Sequence, residues 1–186
     1  GLHDDGASAL LDDANLVVDP GLRVLAEVGD GMADRLAAVL DSASKAGKVA
    51  AVGPRYVDTS GRKSFFVRFG VVGFHRRECS SLDDIVQVDF LVASGSLIRL
   101  DALNDIGLMD AGLFIDHIDT DWCLRARAKG YRLFGVCGAT MSHSIGEPQW
   151  SGRLNFGRLM PSHAPLRQYY VFRNSVLLYR RPYAVW

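Results

Sequence analysis

Cysteine is scarce in this chain: Cys79, Cys123 and Cys137 are odd in number, widely spaced and without a CxxC pair. That pattern argues against a zinc site or a disulfide framework and predicts reduced packing thiols in a cytosolic protein. Net charge is also missing, since 21 basic residues balance 21 acidic ones, so nothing global attracts nucleic acid. No apolar run approaches the roughly 20 residues that a membrane-spanning helix needs. The Asp-rich start has neither the basic nor the apolar region of a signal peptide, so the chain reads as soluble and cytoplasmic. Repeats, low-complexity tracts and linkers are absent, and 186 residues fit one domain, 1–186.

What is present alternates. Residues 7–11 form a short apolar run ending in Asp12-Asp13, and residues 15–18 resume it before Asp19-Pro20-Gly21 turns the chain. Leu36, Ala37, Val39, Leu40 and Ala43 follow helical spacing, which predicts a helix over 32–46 stopped by Gly47. Residues 49–52 make a second strand closed by Gly53-Pro54, completing a strand, helix, strand unit and an α/β sheet. Residues 55–86 read as irregular. A strand over 86–92, a break at Ser94-Gly95-Ser96, a resumed strand over 97–100 and a short helix from Asp101 closed by Gly107 follow. A helix ending at Gly130, a strand over 131–136, a loop holding His143 and a helix over 166–179 complete the pattern. The C-terminal segment 164–186 is its aromatic and basic helical end.

One stretch stands apart. Asp116-His117-Ile118-Asp119-Thr120-Asp121 packs three acids and a histidine into six positions at the edge of an apolar element. A carboxylate beside buried surface has its charged form disfavoured by desolvation and by like neighbours, which prepares a general base. Acids at a helix start also simply cap free N–H groups and favour the dipole, and the residues alone leave both open. Asp12-Asp13 at a strand end suits a hard cation in the crevice of an open sheet, or a solvated turn. His143, flanked by serines, can complete a mixed oxygen and nitrogen site or be an ordinary hydrogen-bonded residue. Ser94-Gly95-Ser96 marks either close approach of a ligand or a turn. Arg167, Arg173, Arg180 and Arg181, interleaved with Tyr169, Tyr170, Phe172 and Tyr179, suit an anion or a membrane surface, or arginines snorkelling over an apolar helix.

Taken in order, Leu10-Leu11-Asp12-Asp13, Val52-Gly53-Pro54, Val92-Ala93-Ser94-Gly95-Ser96-Leu97-Ile98, residues 107–130, His143-Ser144-Ile145-Gly146 and Arg167-Gln168-Tyr169-Tyr170-Val171-Phe172-Arg173-Asn174 resemble the family 2 glycosyltransferases. The bacterial rhamnosyltransferases are the subgroup they are most similar to. This resemblance implies a GT-A fold, a Rossmann-like α/β domain with a mixed, mainly parallel sheet that binds a nucleotide-diphosphate sugar. It also implies that the N-terminal βα units of such a fold are missing here.

The resemblance assigns roles. Asp119 matches the base that deprotonates the acceptor hydroxyl. Asp12, with Asp13 and His143, would hold a divalent metal, Mn2+ or Mg2+, on the donor diphosphate, with Arg173 also facing that group. Ala14 stands where the metal motif has its last acid. Ser94, Gly95, Asp116, Asp121 and Trp122 would line the substrate and acceptor side. The implied activity is inverting transfer of a sugar, rhamnose from dTDP-rhamnose, to a surface glycan or lipid-linked saccharide. Peripheral contact with the cytoplasmic membrane face, and pairing of copies through an uncovered sheet edge, are compatible with it. The rival readings are a glycosyltransferase-like binding or scaffold module that has lost catalysis, and an unrelated metal-dependent phosphohydrolase.

Overall fold

The computed structural model describes residues 16–17, 31–58, 61–70, 73–142 and 164–184. Its centre is a five-stranded sheet in the order β1-β6-β2-β7-β5, formed by β1 (Leu16–Val17), β2 (Val49–Val57), β5 (Ile85–Val88), β6 (Leu97–Arg99) and β7 (Arg132–Ser142). Helix α1 (Met32–Lys45) buries Met32, Leu36 and Leu40, spaced four apart, against one face. Helices α2 (Leu100–Ile106) and α3 (Ile118–Ala128) cover the other, through Ala102, Ile106, Trp122, Cys123 and Ala126. The result is a mixed α/β fold of three layers, compatible with a Rossmann-like domain.

Several expectations are corrected here. Among the described strands, β2 and β7 are the one parallel neighbouring pair, whereas β1/β6, β6/β2 and β7/β5 are antiparallel. The sheet is therefore mixed but not mainly parallel, and β6 separates β1 from β2. Strand β2 also runs past Gly53-Pro54. Its pairing with β6 ends at Val52, and the register against β7 shifts between Pro54 and Arg55, so the missing proline N–H falls at an irregularity. Residues 55–86 are not irregular: β3 (Phe66–Phe69) and β4 (Phe74–Arg77) form an antiparallel hairpin. Cys79 and Cys137 are joined in a disulfide across 58 residues of sequence, which replaces the expected reduced pair, while Cys123 stays free and buried.

Topology decides where the chemistry lies. Helix α3 leads into β7 across the short 129–131 turn, so it runs back antiparallel to that strand and its N-terminus sits at the carboxyl ends of β2 and β7. Strand β6 runs opposite to β2, which brings the preceding loop, 92–96, to the same edge. In open α/β sheets this is the edge where ligands bind. Helix α4 (Pro165–Tyr179) packs over the segment leading into α3, burying Asn174 and Leu178. Among the described residues no helix is long and apolar enough to cross a membrane.

Candidate active site

The acidic stretch is not a capping motif. His117 is the N-cap of α3 and makes no side-chain cap bond. The acids instead divide between different partners. Asp121 is fully buried, with Oδ2 2.8 Å from Arg125 Nε and Oδ1 accepting from the Tyr183 hydroxyl at 2.6 Å. Burial and that bond push the Tyr183 phenol up to about 12. Asp116 takes a bidentate pair from Arg167, at 2.9 Å on both oxygens. Asp110, upstream, is matched by Arg181 at 2.6 Å, which holds its carboxyl below the ordinary value.

Asp119 differs from all three. Among the described residues no arginine or lysine pairs with it, and the polar group that acts on its carboxylate is the backbone N–H of Ala93. It lines a crevice walled by Leu91, Val92, Ala93, Ser96, Met109 and Trp122. Burial in that apolar surround raises its pKa above the ordinary carboxylate value. The Ala93 N–H opposes the rise and the Asp116 charge adds to it. A half-buried carboxylate that gains affinity for a proton is suited to taking one from a hydroxyl. Beneath it, the Cys123 thiol is buried and pushed up to about 12, so it stays protonated and inert.

The loop that meets Asp119 is built tightly. Tyr56 at the end of β2 donates to the carbonyls of Ser94 and Val92 at 2.9 and 3.3 Å, and the Ser96 hydroxyl donates to Val92 O at 2.6 Å. Gly95 has φ +69°, and a Cβ there would lie 2.7 Å from Met141 Sδ and 3.1 Å from Pro54 Cγ. Glycine is thus required by both backbone and neighbours. Ser94 and Gly95 form the turn between Ala93 and Ser96, closed by the Ser96 N–H on Ala93 O at 3.0 Å.

Strain is concentrated on the other side of Asp119. Phe114, Asp116 and His117 have φ of 61°, 61° and 64°, which non-glycine residues rarely adopt and which costs about 1–3 kcal/mol each. Phe114, with ψ −61°, is the centre of a tight turn in which the Ile115 N–H reaches Leu113 O at 2.7 Å. Backbone strain of this kind gathers at functional sites.

Other expected site residues fall elsewhere. Asp121 is buried and held by Arg125 and Tyr183, and Trp122, which walls the crevice, is buried with its indole N–H spent on Gly107 O at 2.9 Å. Arg173, expected at a diphosphate, donates to Gly112 O and to Asn174 Oδ1. The C-terminal arginines 167, 173 and 181 turn toward residues 110–116, and the exposed side of α4 is apolar, carrying Leu166, Tyr169, Phe172, Val176 and Tyr179. Asp12, Asp13, Ala14 and His143 lie outside the described residues. Among the described residues, no three histidine, cysteine, aspartate or glutamate side chains are grouped to hold a metal. Sequence reasoning missed Tyr56 and Ala93. Tyr56 carries a signal of sorts, as a polar aromatic continuing an apolar strand, but a backbone donor such as Ala93 N–H carries none.

Over 90 residues the chain is 37% identical to the dTDP-rhamnosyl transferase RfbF of Shigella flexneri. The chain is related to a glycosyltransferase. The match covers 48% of this chain and 29% of that relative, so it spans less than a third of the relative's length. No family model matches the chain.

Proposed function

We propose that this chain is the acceptor-activating part of an inverting glycosyltransferase of family 2 and GT-A type, moving a sugar from a nucleotide-diphosphate donor to a saccharide acceptor. One observation carries the reading. Among the described residues, three of the four acids between residues 110 and 121 are each held by an arginine, and Asp119 meets no basic side chain, at the edge of the sheet where ligands bind. A sugar hydroxyl is a weak nucleophile near neutral pH. A carboxylate that removes its proton during in-line attack supplies about 10²–10⁴-fold in rate.

Rhamnose carried by dTDP is the donor we propose, on the name of the relative. Asp12, Asp13 and His143 are proposed as ligands of a divalent cation on the diphosphate. The test is Asp119→Asn in the full-length protein. Transfer should fall by about 10²–10⁴-fold, while calorimetric binding of dTDP stays at the wild-type level. Unchanged turnover would sink the assignment of the base.

A second reading, a binding module without catalysis, is favoured by Ala14 at the last position of the metal motif. It predicts that manganese adds nothing to dTDP binding and that no acceptor is glycosylated.

A further inference from the structure

Residues 113–117 bear the strain at Phe114, Asp116 and His117, and what holds them comes from one helix. The Asn174 side chain is fully buried, and its amide nitrogen donates to the carbonyls of Leu113, Ile115 and Asp116 at 2.8, 2.8 and 3.0 Å. Three carbonyls within four residues can converge on one point only if the backbone wraps around it, which is what positive φ at Phe114, Asp116 and His117 achieves. Asn174 Oδ1 is in turn fixed by Arg173 Nη1 at 2.8 Å.

Two further tethers come from the same side of α4, since residue 167 lies about two helical turns before the adjacent residues 174 and 175. Arg167 grips Asp116 bidentately. The Ser175 hydroxyl gives its proton to Val171 O at 2.7 Å, so it accepts from His117 Nε2 at 3.0 Å. His117 is the N-cap of α3, and its carbonyl takes the first helical bond, from Asp121 N at 2.9 Å. Whatever fixes His117 therefore fixes where α3 begins and where Asp119, two residues on, points.

We propose that Asn174, supported by Arg167 and Ser175, is a positioning residue: it clamps the strained 113–117 segment so that Asp119 faces the crevice at Ala93. The role of Asp119 as base rests on the function proposed above; the clamp rests on the geometry of α4. Aspartate at 174 would set a charge against three carbonyls, and glutamine would be one methylene too long, so neither reproduces the contact.

The test uses Asn174→Asp and Arg167→Gln in the full-length protein, read by steady-state transfer and by hydrogen exchange of the 113–118 amides. A base displaced by about 1 Å costs on the order of 10²-fold, so kcat should fall by about that factor in Asn174→Asp, with the donor KM at its wild-type value. Exchange at 113–118 should quicken while that of β2 and α1 stays slow. Arg167→Gln should move both readings the same way by less, and it decides the matter alone if Asn174→Asp does not fold. Wild-type exchange at 113–118, or faster exchange with wild-type kcat, overturns the proposal. An inactive wild-type protein would instead overturn the transferase reading, and hydrogen exchange alone then decides the clamp: faster exchange at 113–118 in the variants supports it, and wild-type exchange overturns it.

Discussion

Replacing Tyr56 by Phe removes a single hydroxyl and tests how the base is held from the sheet side. Burial, then the charge of Asp119, pushes the Tyr56 phenol far above its ordinary value, so it remains a neutral donor at any working pH. Without it, Val92 O keeps the Ser96 hydroxyl at 2.6 Å, whereas Ser94 O loses the Tyr56 donor at 2.9 Å. The ring still fills its place, so no cavity opens. One net hydrogen bond of about 1 kcal/mol, plus part of the desolvation penalty on a half-buried carbonyl, gives about 1–2 kcal/mol. That corresponds to a fall in Tm of roughly 2–8 °C for a chain of this size.

The functional consequence has a definite sign. Ala93 N–H is what restrains the pKa of Asp119, so a looser 92–96 loop lets that pKa climb further. The acidic limb of kcat/KM against pH, below which the base is protonated, should move to higher pH. Differential scanning calorimetry and a pH–rate profile of the full-length protein read the two effects. A wild-type Tm together with an unmoved limb would refute the reasoning.

Two other outcomes follow from the same geometry. Because the folded state raises the pKa of Asp119, that group stabilises the fold at pH values below its ordinary value, and the contribution is lost as pH rises through the raised one. Asp119→Asn should therefore melt like wild type in acid and above it at neutral pH; a gap that does not grow with pH contradicts this. For Cys79–Cys137, chain entropy over a separation of 58 residues gives about 4 kcal/mol, so reduction should lower Tm by roughly 8–16 °C. Identical melting with and without reductant, or alkylation of all three thiols in unreduced protein, would remove the bridge.

Helical periodicity was the most legible part of the sequence. Leu36 and Leu40 predict α1 to within a residue, and residues 166–179 nearly coincide with α4. The hairpin was hidden because all four residues of β4 are exposed, so no apolar alternation marks it. Gly70 and Gly73 at its turn are the signal that was there to use. Cysteine spacing pointed away from the disulfide, because the bridge joins a loop to the middle of a distant strand where the register slips. In the acidic stretch the density of charge was readable but its division was not. Asp119 and Asp121 look equivalent in the sequence, yet two residues of helix is a rotation of about 200°. One therefore turns into the crevice and the other into the core.

That division explains why two tracts far apart in the chain behave as one unit. Three ionised carboxylates crowded beside an apolar core would repel one another, and desolvation would protonate whichever was most buried. Arg125 and Tyr183 hold Asp121, and Arg167 holds Asp116, whereas Asp119 meets no basic side chain among the described residues and gains affinity for a proton. Arg167 and Asn174 belong to α4, and Tyr183 follows it within the described chain, so the C-terminal tract supplies both the charge that isolates the base and the clamp on the strained segment before it. The sheet supplies the opposing hold, through Tyr56 and Ala93. A carboxylate held between these two tracts and, among the described residues, without a basic partner is costly to the fold, and a catalytic base is the role in which that cost has a use.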